Sequence, residues 1–309
     1  LRSPMRLVIL NSFGTVATRA IATVLVCVSR TNHGGRTMGN KITVRRWVAQ
    51  KNRPDHKGIW SKVAGIAVAY IGATRAEAIR SCIQAGCGML PVRLGGSGAS
   101  NQTCYAYSGT PNMGAGSMDR SQVRHGFDPA KRYSLRSALD QIPRAIGPRR
   151  KPPRYVRDGF IGDPSALSLE SHADLRSTVK AEGLIGVLSY THGWRGVSLQ
   201  LFALASCESL AEVDQAVALG YRASVVVPWQ ALPLPGHKPA RITTPQGVNV
   251  PICPAMLSHE SALPVVCNDC GWCDPQSPGP QAVAFPNHDP KGRAERRKLQ
   301  ILRMVKATA

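Results

Sequence analysis

The feature that most constrains the fold is a regular alternation of apolar runs and helical segments in the second half of the chain. The runs YVRDGFIG, LIGVLSY, LQLFALAS and YRASVVVP predict strands, and SHADLRSTVKAEG and SLAEVDQAVALG between them predict helices. Strands that alternate with helices every ~20 to 30 residues predict a parallel sheet with helical crossovers. Runs that are apolar throughout are typical of strands covered on both faces.

The rest of the chain extends this pattern. SKVAGIAVAYIGA predicts the first buried strand, TRAEAIRSC and SLRSALDQIPRAIG predict helices, and NVPI and QAVAF predict two further strands. Residues 95–125 form a long Cys/Gly-rich loop after the first strand. No Gly-rich phosphate fingerprint follows that strand, which disfavours a Rossmann fold. We therefore expect an α/β fold with a (β/α) barrel-like parallel sheet, either a complete TIM-type barrel or an incomplete one.

Two helices carry end signals. Ser171 is the predicted N-cap of the first, and Gly183 its stop. Ser209 and Glu212 form a capping box at the start of the second, which Gly220 ends.

Changes in composition predict three regions. Residues 1–58 form an irregular basic arm, residues 59–290 a single α/β domain, and residues 291–309 a basic amphipathic helix. An apolar stretch near the N-terminus, residues 7–28, is interrupted by Arg19. Neither half of this stretch approaches the ~20 residues that a helix needs to span a bilayer. Because the chain opens on Leu1, we expect the coding start at Met5 or Met38.

The charge balance points to a polyanionic partner. The chain has 39 Lys and Arg against 18 Asp and Glu, a formal charge of +21. Each basic side chain brought to a phosphate releases condensed counterions, so we expect electrostatic nucleic-acid binding that weakens with salt. The segments Arg149–Arg154 and Lys291–Lys306 are the most basic. We expect a cytoplasmic protein with no membrane partner.

Polar residues follow the predicted strands. In a barrel the chemistry lies at the carboxyl ends of the strands, so these residues are candidates for catalysis and phosphate binding. Aspartate and glutamate could act as nucleophile or general base, histidine as general acid or base, and arginine as a phosphate ligand. The candidate catalytic residues are Asp163, His192, Arg195 and Glu208.

The sharpest motif is Cys267-Asn-Asp-Cys270-Gly-Trp-Cys273. Three thiols on one turn are typical of zinc or iron–sulfur ligation, and a disulfide set would suit a secreted protein instead. Cys253 upstream and His288 downstream are the rival fourth ligands. The sequence leaves zinc and a 4Fe-4S cluster both open.

A second group, Cys82, Cys87 and Cys104, has looser spacing around the Gly-rich loop. It is a candidate cofactor-binding set, with buried thiols as the alternative. Cys27 and Cys207 belong to neither group, and we interpret them as ordinary thiols.

In chain order, the strings CYAYSG, RDGFIGDPSAL, SYTHGWR, ASCES, ICPA and CNDCGWC resemble motifs of an uncharacterised family found in bacteriophages and in bacteria, mainly actinobacteria. The resemblance covers roughly residues 60–290. One departure is the first cysteine pair, which in the family has the pattern CPxxCP and here has four intervening residues and no prolines. The resemblance marks these positions: Cys82, Cys87, Cys104, Asp163, His192, Trp194, Arg195, Glu208, Cys253, Cys267, Cys270 and Cys273.

Two barrel enzyme families offer fold-level analogies. Radical S-adenosylmethionine enzymes also carry cysteines after the first strand, but their C-x3-C-x2-C spacing is absent. The tRNA-guanine transglycosylases have a late zinc site of three cysteines and a histidine, but no DSGG-like string is present here. Two hypotheses remain open. One is a metal-containing enzyme that modifies a nucleic-acid base, and the other is a non-catalytic, metal-stapled nucleic-acid-binding protein.

Overall fold

The structure is a computed structural model. Its described residues belong to one compact unit, Asn40–Ala309. Cys27, Cys104, His288, the long Gly-rich loop and the basic C-terminal segment lie outside the described residues. The described ranges are 45–49, 66–72, 75–88, 134–146, 152–228, 241–257 and 265–286.

Four strands form the first sheet, in the order in which they follow along the chain. They are β1 (Arg45–Ala49), β2 (Ala67–Ile71), β3 (Tyr155–Ile161) and β4 (Gly186–Leu188). β1 is antiparallel to β2, whereas β2, β3 and β4 are parallel.

The second sheet contains β5 (Tyr190–Thr191), β6 (Leu204–Cys207), β7 (Ala223–Val227) and β10 (Ala282–Pro286). All its pairs are parallel, and Ser189 alone separates β4 from β5. A hairpin of β8 (Arg241–Thr243) and β9 (Asn249–Pro251) leads into Ile252, which bridges Ala284 of β10. The predicted α/β class with parallel strands is confirmed. Pairing among the described strands does not close a barrel.

Six α-helices accompany the strands in the described ranges, and four of the five predicted helices are confirmed, the C-terminal one lying outside those ranges. α3 connects β3 to β4 and α4 connects β6 to β7, as parallel neighbours require. The helices are α1 (Arg75–Gln84), α2 (Leu135–Ile146), α3 (Leu169–Ala181), α4 (Leu210–Ala218), α5 (Pro254–Leu257) and α6 (Cys267–Cys270). Among the described residues, none of the helices is long and apolar enough to cross a membrane.

The predicted N-cap of α3 is wrong by one turn. Ser168 caps the helix, and its Oγ accepts a hydrogen bond from the Ser171 N–H at 3.2 Å. Both serines fit the sequence pattern, but Ser168 follows a buried turn that fixes where the helix starts. Gly183 and Gly220 have φ values of +73° and +80°, consistent with the predicted helix stops.

The predicted capping box of α4 is confirmed in part. Ser209 Oγ accepts from the Glu212 N–H at 3.2 Å. The Glu212 carboxylate accepts a hydrogen bond from the N–H of Glu208 at 2.8 Å. In a full capping box the donor would be the N–H of the cap residue itself, Ser209.

Two predictions, one for a strand and one for the N-terminal arm, need correction. LQLFALAS forms a strand only from Leu204 onward, because Phe202 and Ala203 donate to the Leu199 carbonyl at 2.8 and 2.9 Å in a turn. The arm before residue 58 was expected to be irregular, but its described part is strand β1. Trp47 of β1 is buried against the sheet, so hydrophobic burial and pairing with β2 recruit this basic segment.

The sheet is covered on both faces. Ala67 and Ala69 of β2 pack into one cluster with α2 and α3, whereas Val68 and Tyr70 pack into another that extends across both sheets. Alternate side chains of a strand point to opposite faces, so both faces of β2 are buried. This explains why the strand is apolar throughout.

Candidate active site

β2 and β3 are parallel in the first sheet, and β5 and β6 are parallel in the second, so each pair has its carboxyl ends together. Hydrogen bonds from Thr191 and His192 to Asp163 join the carboxyl end of β5 to that of β3. Asp163 follows β3, His192 follows β5 and Glu208 follows β6. The turn after β3 needs glycine, because a Cβ on Gly162 would lie 2.9 Å from both Ile71 and the Ser81 hydroxyl. The close approach brings α1 against Asp163, whose N–H donates to Ser81 Oγ at 2.8 Å.

Asp163 is 2% exposed, and protein donors occupy its carboxylate. Oδ1 accepts from the Ser165 N–H at 2.9 Å, the Ser165 hydroxyl at 2.8 Å and the Thr191 hydroxyl at 2.7 Å. Oδ2 accepts from the backbone N–H of His192 at 2.8 Å. Burial alone raises the pKa of Asp163, but hydrogen bonds from His192 and its positive charge lower it on balance. Asp163 is therefore a fixed, charged positioning group.

His192 lies between Asp163 and a cysteine. Its Nδ1 is 3.5 Å from Asp163 Oδ2, and its Nε2 is 3.7 Å from Cys87 Sγ. Burial lowers the pKa of His192, but the hydrogen bonds and charges of Asp163 and Cys87 raise it to about 10. The imidazole is consequently protonated at neutral pH. About 20% of its side chain is exposed, which leaves one side of the site open to solvent.

The end of α1 places Cys87 beside His192. The Cys87 N–H donates to the Cys82 carbonyl, and the Gly86 N–H donates to the Ile83 carbonyl, both at 3.1 Å. Gly86 has a φ of +69°. These features define a Schellman motif, which ends a helix and turns the chain back across its last turn. Cys82 and Cys87 occupy the two positions whose side chains meet in that motif.

Glu208 accepts a hydrogen bond from Gly88, the residue after Cys87. Its Oε1 accepts from the Gly88 N–H at 2.8 Å, and a Cβ on Gly88 would lie 2.4 Å from Oε2. Arg195 pairs with Glu212 at 2.8 Å and stacks 4.0 Å above the Trp194 ring. Glu208 and Arg195, both predicted catalytic residues, are therefore linked through Glu212 at the margin of the Cys87 site.

The late cysteines lie at a second location. Cys253 follows the hairpin, and its N–H donates to the Ala284 carbonyl at 2.8 Å. Cys267 and Cys270 are the first and last residues of α6, and the Cys273 carbonyl accepts from the Ser189 N–H at 3.3 Å. The backbone thus fixes this cysteine cluster (Cys253, Cys267, Cys270 and Cys273) beside the junction of the two sheets.

The thiols of the cysteine cluster interact electrostatically. Burial raises the pKa of Cys273, and the charges of Cys253, Cys267 and Cys270 raise it further. Burial likewise raises the pKa of Cys270, with a contribution from Cys253. In the part of the chain that the structure describes, no group of three or more His, Cys, Asp or Glu side chains is arranged to hold a metal ion. The four thiols of the cysteine cluster are close enough to interact, but their sulfur atoms would have to move closer together to bind one cation.

No protein-family model, curated protein or solved structure matches this chain. Its function is therefore inferred from the chemistry of its own residues.

Sequence reasoning anticipated that Asp163 and His192 follow neighbouring strands, and the structure brings them together. It placed Cys87 in a cofactor-binding group with Cys82 and Cys104, and missed its approach to His192. The signal was the Gly-Cys pair at the end of α1, because Gly86 predicts the helix end and the chain reversal there. It also missed Thr191 as a donor to Asp163.

Proposed function

We propose that this protein is an enzyme that modifies a nucleic-acid base through a covalent adduct with Cys87. The observation that carries the proposal is the alignment of Cys87, His192 and Asp163, with Cys87 Sγ 3.7 Å from His192 Nε2 and His192 Nδ1 3.5 Å from Asp163 Oδ2. A nucleophile, a base and a residue that orients the base form the arrangement used in nucleophilic catalysis.

The roles follow from charge and hydrogen bonding. A protonated His192 stabilises a thiolate at Cys87, because opposite charges at this distance attract strongly in a buried site. The thiolate attacks an electrophilic carbon, and the His192 imidazolium donates its proton to the atom of the substrate that gains negative charge. Asp163 keeps the imidazole oriented and raises its pKa, which favours the protonated form before the transfer. Its own oxygens are occupied, so we assign it no nucleophilic role.

The charge of the chain supports a nucleic-acid substrate. A formal charge of +21 favours phosphate backbones, and a base becomes accessible to such a site when it leaves the stack. We also propose that the two sheets are parts of a (β/α) barrel-like fold, because their parallel strands follow one another in chain order.

We also propose a metal at the cysteine cluster, either zinc or a 4Fe-4S cluster, with a structural role. The support is the grouping of four thiols whose charges interact around Cys273. A shared cation would stabilise their thiolates and fix the chain segments that carry them. His288 remains the rival to Cys253 as fourth ligand. The nucleophilic role proposed for Cys87 replaces the cofactor-binding set of Cys82, Cys87 and Cys104 that the sequence suggests.

The second candidate is a non-catalytic protein that binds nucleic acid while a metal staples its fold. The charge of +21 supports it equally well. The two candidates differ in whether Cys87 is needed for anything beyond folding.

The test is formation of an adduct that survives denaturation. The full chain is incubated with labelled single-stranded DNA or RNA, and covalent complexes are detected on a denaturing gel. Wild type and Cys207→Ser should form the adduct, and Cys87→Ser should not, although all three bind the oligonucleotide in low salt. Cys207 is the matched control because it is buried at the same sheet edge, where burial raises its pKa to about 12.

Alkylation with iodoacetamide supplies a measurement that is independent of the substrate. At neutral pH, Cys87 should react faster than Cys207 in the folded chain. A Cys87 that reacts no faster than Cys207, in a chain that still binds nucleic acid, would support the non-catalytic candidate.

A further inference from the structure

The Schellman motif that ends α1 joins two cysteines, and the proposed catalytic role uses only one of them. Cys82 and Cys87 are both buried, and all the described cysteines are thiols. In this motif the residue whose carbonyl accepts the closing hydrogen bond, in the last turn of the helix, commonly contacts the residue after the left-handed glycine. Here those residues are Cys82 and Cys87, on either side of Gly86.

The backbone bond also limits the distance between the two cysteines. A 3.1 Å hydrogen bond joins the Cys87 nitrogen to the Cys82 oxygen. With standard bond lengths, the two Cα atoms then lie within about 7 Å of each other. Disulfides in proteins span Cα separations of roughly 4.4 to 6.8 Å. The backbone of the folded α1 end therefore already holds the pair close to the separations that disulfides span.

We propose that Cys82 and Cys87 form a redox-active dithiol that exchanges with small-molecule disulfides, with Cys87 as the attacking thiol and Cys82 as the resolving thiol. The inference rests on the proposed function in one respect, which is that the Cys87–His192 pair supplies the thiolate. It adds an activity and a resolving partner to that site. Oxidation of the pair would also remove the nucleophile and switch the catalytic site off.

The exchange proceeds in two balanced steps. The Cys87 thiolate attacks one sulfur of the disulfide, whose S–S bond breaks, and the released thiolate takes the proton of His192. Cys82 then gives its proton to the neutral His192 and attacks Cys87 Sγ. This forms the Cys82–Cys87 bond and expels the second half of the reagent, which takes the same proton. Two cysteine thiols are oxidised, and one disulfide is reduced to two thiols.

The geometry around His192 favours Cys87 as the attacking thiol and Cys82 as the resolving thiol. Cys87 Sγ lies 3.7 Å from His192 Nε2, so the imidazolium can stabilise the attacking thiolate and protonate the first leaving group. Cys82 lies on the preceding helical turn, so its attack on the mixed disulfide is intramolecular. Well-oriented intramolecular attack is far faster than attack by a second molecule of reagent.

The experiment uses glutathione disulfide as the probe. The full chain and its variants are exposed to it, quenched in acid and digested with trypsin. A single tryptic peptide, residues 81–93, carries both cysteines, because the nearest cleavage sites are Arg80 and Arg93. In wild type this peptide should lose two hydrogens. In Cys82→Ser it should carry glutathione on Cys87, at a level at least about tenfold above wild type, because no resolving thiol is present.

Controls separate this inference from the catalytic proposal. Cys87→Ser should leave Cys82 unmodified, Cys207→Ser should behave as wild type, and Cys82→Ala repeats the trapping test with a different side chain. Equal glutathione adduct in wild type and in both Cys82 variants, with fast alkylation of Cys87 by iodoacetamide, overturns the resolving role alone. A Cys87 that reacts with neither reagent overturns both proposals.

Discussion

The two groups of cysteines in this protein differ in what surrounds them. Cys87 faces a protonated imidazole that Asp163 orients, whereas Cys273 faces other thiols and the hydroxyl of Tyr190. In the first group the neighbour is an imidazole whose raised pKa favours a positive charge. In the second, burial and like charges raise the pKa of Cys273, which favours its protonated form. The two environments underlie the two different roles that we propose for these cysteines.

The largest effect should come from the cysteine cluster. Cys273→Ser should abolish stoichiometric zinc binding, because three remaining thiols cannot complete a tetrahedral site. Metal content after zinc addition and gel filtration measures this, and iron with acid-labile sulfide after anaerobic purification would select the iron–sulfur alternative. Cys207→Ser is the control, since Cys207 lies outside the cluster. Zinc retained at wild-type stoichiometry by Cys273→Ser would remove the cluster from consideration as the metal site.

His192→Ala should slow alkylation of Cys87 at pH 7 by at least about tenfold. The variant loses the imidazolium, and an ordinary thiol with a pKa near 8.5 is only about 3% thiolate at that pH. The rate is followed by mass spectrometry of the peptide that carries Cys87. The cysteine cluster should alkylate at an unchanged rate in the same sample. A Cys87 rate that does not respond to the substitution would mean that the 3.7 Å contact does not activate the thiol.

Asp163→Asn should destabilise the protein by about 1–3 kcal/mol. Both carboxylate oxygens of Asp163 accept hydrogen bonds, and in the variant the amide NH₂ would face donors in place of one of those oxygens. Chemical denaturation measures the loss. Asp174→Asn, on the exposed face of α3, is the matched control and should be nearly neutral.

The ion pair between His192 and Asp163 predicts how the stability of the protein depends on pH. The folded pKa of His192, about 10, is above its ordinary value of 6.5. Its contribution to stability is therefore complete below pH 6.5 and is lost as the pH rises through about 10. Asp163→Asn should flatten this decline in part, since one of the two partners that raise the pKa of His192 is gone and Cys87 remains. A wild-type denaturation midpoint that is constant from pH 6.5 to 10 would contradict the ion pair.

The smallest effect should come from Gly86→Ala, which we expect to cost about 1 kcal/mol. The φ of +69° is strained for alanine, but a Cβ there meets nothing within 4 Å. Gly183→Ala, with a φ of +73° and equally open surroundings, should cost a similar amount at the end of α3. Only Gly86→Ala should also slow disulfide formation between Cys82 and Cys87. Equal oxidation of that pair in both variants would show that the Schellman turn does not position it.

Much of the architecture was predictable because it depends on short-range signals. Apolar runs gave β2, β3 and β7, and the glycines with positive φ marked the ends of α3 and α4. The errors came where local signals compete, as at Ser168 and Ser171, which both suit an N-cap. The strand at Arg45–Ala49 was missed because its basic residues resemble an exposed arm, and its pairing with β2 depends on a distant segment.

The sequence by itself determined the alternation of strands and helices, the excess of positive charge and the close spacing of the late cysteines. These properties are local or additive, so they can be recognised without knowing the fold. Only the tertiary structure decided that Cys87 meets His192, 105 residues further along the chain. The physical reason is that this contact depends on long-range packing. α1 lies against the turn after β3, and Asp163 in that turn holds the backbone of His192, so three segments that are distant in sequence meet at one place. The late cysteines lie close together in the sequence, but only the tertiary structure surrounds Cys273 with the other thiols.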